Sequence, residues 1–340
     1  MTKRERVFAA LARRPVDHPP IALWRHAPDR DHDPRLLADA MLTFCDRWRL
    51  DLIKVMSSGV YCVEDWGCKV AYTGLPSGAK QCTAHAVTTS ADWSRLRPLD
   101  PGAGALGREL EAVHLIAKKR ADDAPILHTV FSPLTVARKL AGDRLAADMR
   151  TVPENVHGAL EVITATLVRY AATAFEAGAD GIFFATQMAS AEVLSADEHA
   201  TWDLPYARRV IESLHGRSSV TLLHLHGTAI FFDALAVLPV HAINWHDRRT
   251  APTLADAHQR FRGAVVGGLD EQATLRTGPA AAVTAEVHEA IRRTDGVGVI
   301  IAPGCGVPLD VPDAHIEAAV RAARDPAIGY TRAPAGGGRA

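Results

Sequence analysis

The chain has 340 residues, 48% of them apolar, and a formal net charge of -1. That length allows two average domains or one large α/β barrel, and the apolar share is enough for a full core. Near-neutral charge with no basic block excludes nucleic acid as a main partner, and no run reaches the unbroken apolar length of a membrane span.

The chain opens on Met1-Thr2-Lys3-Arg4-Glu5-Arg6, whose charges lead into an amphipathic helix and not into the apolar core of a signal peptide. Five cysteines, an odd number in a long chain, suit a reducing cytoplasm better than a disulfide framework. Short apolar runs then alternate with helical stretches. Pro20–Trp24 ends in Arg25-His26. Leu52–Met56 ends in Ser57 and Ser58, with Tyr61, Glu64 and Asp65 close behind. From Val60 to about Leu96 the alternation breaks. This stretch is rich in Gly, Thr and Ser and contains the β-formers Val87, Thr88 and Thr89, which reads as an inserted hairpin or lid after the second strand.

The alternation resumes with Ile126–Phe131, followed by Ser132-Pro133, and with a helical segment over Glu154–Gly178. Gly181–Ala185 ends in Thr186 and Gln187, and Pro205–Leu214 again has helical period. Val220–Leu225 carries His224 and is followed at once by His226. Ala242–Trp245 leads to His246, Asp247 and Arg248, Ala264–Gly268 to Asp270, and Val297–Ala302 to Pro303-Gly304-Cys305-Gly306. Runs apolar on both faces suit a parallel sheet buried on both sides. Eight strands with helical crossovers match the count of a single (β/α)8 TIM barrel. A doubly wound open sheet competes, but no Gly-x-Gly-x-x-Gly fingerprint follows the first strand. The expected organisation is one barrel domain over residues 1–330 and a disordered tail over 331–340.

In a parallel barrel the active site lies at the C-terminal ends of the strands, where these polar residues gather. His224 and His226 are two apart and share a face. With Cys305 they supply two imidazoles and a thiol, the ligand types of a zinc site, and His246 or Asp247 would complete a tetrahedron or serve as acid or base. The plainer alternative is a set of polar mouth residues that hold substrate or each other. A free cysteine is often a small buried hydrophobe, yet Gly304-Cys305-Gly306 is a tight turn where backbone approaches a ligand. Cys62 and Cys68 have no standard zinc spacing, and Cys45 and Cys82 stand alone. All four read as structural or incidental. Arg25 suits a carboxylate substrate, against a surface ion pair with Asp29 or Asp31, and His26 and Arg30 share that ambiguity. Glu64 and Asp65 are candidates for acid–base work near the mouth, against simple solvation. Tyr61 and Gln187 are candidate substrate contacts, and Tyr206 reads as a helix-start residue that caps or packs.

The order of these features resembles the uroporphyrinogen decarboxylase superfamily, which also holds zinc-dependent corrinoid and thiol methyltransferases. The resemblance runs from Thr2 to about Ala323. Thr2-Lys3-Arg4-Glu5-Arg6-Val7 with Arg13-Arg14-Pro15-Val16-Asp17 is similar to the family's opening helix and turn. Gly178-Ala179-Asp180-Gly181 resembles the entry to its fourth strand, and Gly267-Gly268-Leu269-Asp270 its Gly-Asn-Leu/Val-Asp turn. Pro303-Gly304-Cys305-Gly306 resembles the last zinc-ligand turn of the methyltransferase branch. The resemblance implies a (β/α)8 barrel.

The decarboxylase branch uses no metal and holds a carboxylate-rich tetrapyrrole with arginines near the first strand. Arg25 matches the first of these. Arg30 is offset by one from the second, and the Gln-Ala-Gly between them is absent. Val55-Met56-Ser57-Ser58-Gly59 stands where that branch has its aspartate-bearing segment. The methyltransferase branch uses His-x-Cys on the fifth strand and a Cys after the eighth. His224 and Cys305 match, but His226 replaces the middle Cys. Imidazole for thiolate adds net positive charge and makes a stronger Lewis acid, which suits oxygen or nitrogen groups or a different metal. The family's extra carboxylate ligand falls near His246-Asp247.

The leading expectation is therefore a metal-dependent methyltransferase acting on a small molecule, with a methylated corrinoid protein as the donor implied by resemblance and a homodimer left open. The alternative is a metal-free decarboxylase or lyase, with Arg25 and Arg30 on substrate carboxylates and His224, His226 or Asp65 moving protons. A third reading is a binding protein that kept the barrel and lost catalysis.

Overall fold

Runs that are apolar on both faces become strands buried on both faces. The computed structural model describes residues 1–330, and the tail expected over 331–340 lies outside the described residues. In chain order the strands are β1 (Ile53–Val55), β2 (Lys69–Ala71), β3 (Gln81–Ala84), β4 (Ile126–Phe131), β5 (Gly181–Thr186), β6 (Val220–Leu225), β7 (Ala242–Trp245), β8 (Ala264–Leu269) and β9 (Val299–Pro303). All but β2 and β3 form one parallel sheet in the order β1-β4-β5-β6-β7-β8-β9, with every residue of these strands buried. Consecutive strands are neighbours in space throughout, the pattern that curls a sheet toward a TIM-barrel-like shape.

Helices fill the crossovers and cover the outer face. Pro153–Glu176 shows why such segments form. Pro153 stands in its first turn, where a missing N–H costs nothing. Val156, Leu160, Ile163, Leu167 and Tyr170 then recur at three- and four-residue spacing on one buried stripe. Among the described residues, no helix is long and apolar enough to cross a membrane.

The first expected strand is a correction. Pro20–Trp24 makes only an isolated parallel bridge, Ile21 to Ile301. Pro19 and Pro20 have no N–H to offer a ladder. The segment still lies between the sheet's two edges. On one side Ile301 N donates to Pro20 O (2.8 Å) and Ala22 N to Ile301 O (2.9 Å); on the other Asp51 N donates to Ile21 O (2.9 Å). The Asp51 carboxylate accepts the Ile21 N–H at 2.9 Å, where a ladder carbonyl would otherwise serve. The last strand begins at Val299 and not at Val297, because Gly298 has a left-handed φ of 63° that extended backbone does not have.

The insertion contains an antiparallel pair, β2 with β3. The β-formers Val87, Thr88 and Thr89 are not in it. Thr88 and Thr89 instead donate their backbone N–H groups to Asp92 and start the short helix Ser90–Arg95. Local capping chemistry outweighs β-propensity there.

Candidate metal centre

Parallel register places the candidate donors. His224 on β6 is paired with Asn244 on β7, so both side chains project to the same face of adjacent strands. Asn244 Nδ2 donates to Val266 O (2.8 Å) and Pro303 O (3.0 Å), from β8 and β9. With both amide hydrogens engaged, its Oδ1 faces His224 Nδ1 at 2.6 Å. An amide oxygen only accepts, so Nδ1 carries the His224 proton and Nε2 keeps a free lone pair. Burial, then the neighbouring His226 and His246, hold the His224 pKa well below its ordinary value. The ring is thus neutral, the form that binds a cation.

Cys305 reaches the same point from the turn after β9. The Gly304 N–H donates to Glu271 Oε2 at 3.0 Å, and Glu271 Oε1 accepts from His246 Nδ1 at 3.0 Å. One buried carboxylate therefore braces both the cysteine turn and the third histidine. Gly304 is needed for this closeness, since a Cβ there would sit 2.7 Å from His246 Cα. Cys305 Sγ lies 3.8 Å from His226 Nδ1. One donor atom each from His224, His226 and Cys305 falls within 4.8 Å of the others. Tetrahedral zinc with ordinary bond lengths puts its nitrogen and sulfur ligands about 3.5 Å apart, so the set fits with a small closing motion. The His246 ring centre is 5.2 Å from that of His226 and 6.2 Å from that of His224, at the edge of the three-donor set. Burial raises the Cys305 thiol pKa, with His246 opposing, and a bound cation would displace the thiol proton.

The donors open into a cavity of about 430 Å³, within the range for a small-molecule site. Trp24, Phe131 and Phe183 supply apolar wall, and Gln187 and Gln272 are polar contacts. Three lysines that sequence reading passed over also line the cavity, Lys54, Lys80 and Lys139, and of these Lys80 pairs with Asp31. Lys54, inside β1, has its Nζ 2.7 Å from Met56 Sδ and 4.3 Å from the centre of the Phe183 ring. Burial pulls its pKa down to about 7. Lys139 Nζ donates to Gln187 Oε1 at 2.7 Å, and burial lowers its pKa as well. The available signal was a charge within the buried run Ile53-Lys54-Val55, a placement that needs a reason. Asn244 and Glu271 were also missed. Asn244 is polar in an otherwise apolar strand, and Glu271 adjoins Asp270, which drew the attention.

Other expected site residues are engaged elsewhere. Asp247 does not face the donors. Its Oδ1 accepts from Gly268 N at 3.0 Å, and it lines a separate groove with Arg248 and Leu254. Burial raises its pKa to about 7. Asp65 accepts the N–H groups of Ala105 (2.9 Å) and Leu106 (3.1 Å) and thereby caps the helix Gly104–Lys119. Glu64 pairs with Arg108 at 2.8 Å. Tyr61 is fully buried and donates its hydroxyl to Thr129 O at 2.6 Å. Arg25 lies over the Phe44 ring in an adjoining groove that also contains Arg30. Asp31 pairs with Lys80 and not with Arg25. His26 lines both that groove and the cavity, and burial drives its pKa down to about 3. Tyr206 bonds His157 at 2.7 Å, in keeping with a packing role.

Residues 2–326 match the uroporphyrinogen decarboxylase (URO-D) family. Among curated relatives, the chain is 25% identical to "Methylcobamide:CoM methyltransferase MtbA" of Methanosarcina acetivorans, over 95% of this chain and 98% of that protein. It is 27% identical to "Uroporphyrinogen decarboxylase" of Tolumonas auensis, over 95% and 97%. Among solved structures, a "methyltransferase from Methanosarcina mazei" superposes with a TM-score of 0.80 at 24% identity, covering 95% of this chain and 98% of that one.

Proposed function

The chain belongs to the uroporphyrinogen decarboxylase family, and from that premise we propose a zinc-dependent methyltransferase whose ion is held by His224, His226 and Cys305. The observation that carries this reading is the meeting of those three donors within 4.8 Å beside a cavity. The relatives named as methylcobamide:CoM methyltransferases support a methylated corrinoid as donor and a thiol as acceptor. When bound, zinc supplies the Lewis acidity that keeps an acceptor thiol or hydroxyl deprotonated near neutral pH.

The chain's own residues do the rest. Asn244 holds the Nδ1 proton of His224 and so leaves its Nε2 lone pair free for the ion that the three donors would hold. Glu271 holds the Nδ1 proton of His246, which leaves His246 Nε2 to take the acceptor's proton. Lys54 and Lys139 attract an anionic group on the acceptor, and the aromatic walls exclude water from the nucleophile. With a methylated corrinoid as donor, the acceptor's lone pair would form the new bond to the methyl group while the electrons of the broken bond stay with the donor. His226, in place of a second thiolate, gives the centre one negative charge fewer. That would make the ion a stronger Lewis acid, suited to an oxygen or nitrogen acceptor as well as a thiol.

Metal analysis of the purified chain, together with methyl transfer from methylcobalamin to small thiols, tests this. His224→Ala and Cys305→Ser are each expected to lose one equivalent of zinc and the transfer activity. Asn244→Ala keeps the fold and weakens zinc binding about 10- to 100-fold, read by competition with a chelator. Unchanged zinc content in His224→Ala would overturn the reading. So would a metal-free wild type that decarboxylates a porphyrinogen, the outcome the Tolumonas auensis relative's name points to.

A further inference from the structure

Three more donors meet at the base of the β2–β3 hairpin, outside the centre described above. Cys68 immediately precedes β2, Cys82 lies in β3, and His85 immediately follows β3. One donor atom of each lies within 4.8 Å of the others. We propose that Cys68, Cys82 and His85 form a second zinc site, which fastens the hairpin to the end of the helix Pro133–Ala141.

The donor set is the first argument. Two sulfurs and an imidazole select soft or borderline cations such as zinc over calcium or magnesium. Orientation is the second. His85 Nδ1 donates to Lys139 O at 2.9 Å, so its Nε2 carries the free lone pair. A ligating histidine commonly gives its other N–H to a carbonyl in this way. The Cys68 S–H faces the same Lys139 carbonyl at 3.8 Å, while the Ala86 N–H donates to Cys68 Sγ at 3.3 Å. That N–H opposes the neighbouring Cys82 and burial, which together push the Cys68 thiol up, so a cation there would have to displace the proton. Access is the third. Cys68 is buried, Cys82 half-buried and His85 exposed, so the set has a floor and an open side. Binding replaces two thiol protons with the cation, and an exchangeable water completes the coordination.

The mechanics give the site a purpose. β2 and β3 have three and four residues, and their pairing slips between Lys69 and Val70. Two strands this short are marginal without a staple. Their connecting loop places Leu75, Ser77, Ala79 and Lys80 on the wall of the methyl-transfer cavity. The clasp carbonyl belongs to Lys139, whose ammonium lies in that cavity. Zinc at the hairpin base would therefore hold one wall of the cavity in place.

Zinc analysis and cobalt(II) substitution on the full chain test this without reference to activity. Wild type should bind two equivalents. Cys68→Ser with Cys82→Ser should bind one, and so should His85→Ala, an exposed position whose loss leaves the fold intact. Sulfur-to-cobalt absorption should fall to about a third in the double variant, as thiolate ligands drop from three to one. The His224→Ala, Cys305→Ser variant should keep one equivalent, and zinc should protect segment 72–80 from proteolysis in it. Equal zinc content in wild type and the Cys68→Ser, Cys82→Ser variant would overturn the proposal. So would a thiol count showing Cys68 and Cys82 joined as a disulfide in protein purified under reducing conditions.

Discussion

His224 depends on Asn244. The amide has only two hydrogens, both are taken by carbonyls of neighbouring strands, and the oxygen that remains sets the imidazole tautomer. Lys54 is the opposite case, a charged group held where charge is unfavourable. Burial pulls its pKa from 10.5 to about 7. Below pH 7 both folded and unfolded chains hold the proton, and the folded chain bears the full cost of burying it. Between about 7 and 10.5 the unfolded chain binds more protons, so stability rises with pH across that window. Lys54→Met is expected to be more stable than wild type at pH 6, with the gain shrinking toward pH 10 and the KM for an anionic acceptor raised. Urea unfolding of the metal-free chain across that pH range checks the first part, and steady-state kinetics the second.

Among elements, the strand ends assemble the site and the helix ends are secured by residues that resemble site residues. Asp65 stands close behind β1, where catalytic groups are expected, yet its carboxylate holds two free N–H groups in the first turn of Gly104–Lys119. Asp65→Ala should cost about 1–2 kcal/mol of stability, as lost caps do, with methyl transfer per folded molecule unchanged. Loss of turnover at full stability would restore Asp65 as an acid or base. The hairpin is the element least supported by its own pairing, which is why a metal clasp at its base has consequence for the cavity wall it carries.

For the whole molecule, the irregular segment Pro20–Trp24 lies between β9 and β1 and is held by charge as much as by backbone pairing. Arg6, from the opening helix Lys3–Leu11, reaches Asp51 at 2.6 Å and Asp17 at 2.7 and 2.8 Å. Asp51 in turn accepts the Ile21 N–H. Hydrogen bonds and charge from Arg6 hold the Asp17 carboxyl below its usual range, even though burial opposes this. Its contribution to stability is therefore present above pH 4 and lost as the pH falls through the lowered value. Arg6→Ala leaves the buried Asp51 charge without its partner and should cost about 3–5 kcal/mol, measured as a lower urea midpoint at pH 7. No loss of stability would mean that the backbone bonds of Pro20–Trp24 alone hold the sheet's edges together.

Seven of the eight expected parallel strands were legible because burial on both faces leaves a local mark, an unbroken apolar run such as Val220–Leu225. The eighth, Pro20–Trp24, has the apolar run but lacks the donors a ladder needs. His224, His226 and Cys305 were legible as donors because residue type and strand-end position are local properties. Their partners were not. Asn244, Glu271 and Lys54 have roles set by what lies across the fold, and Cys68, Cys82 and His85, though within one short stretch, are brought together only by the pairing of β2 with β3. Periodicity by itself determined which segments are parallel strands and which are crossover helices, because backbone hydrogen bonding and burial act residue by residue along the chain, whereas the order of the strands in the sheet came from the fold. Only the tertiary structure decided which nitrogen carries a proton, which carboxylate caps a helix and which sulfurs face one another. Hydrogen bonds and coordination act over about 3 Å of space, and separation along the chain does not report that distance.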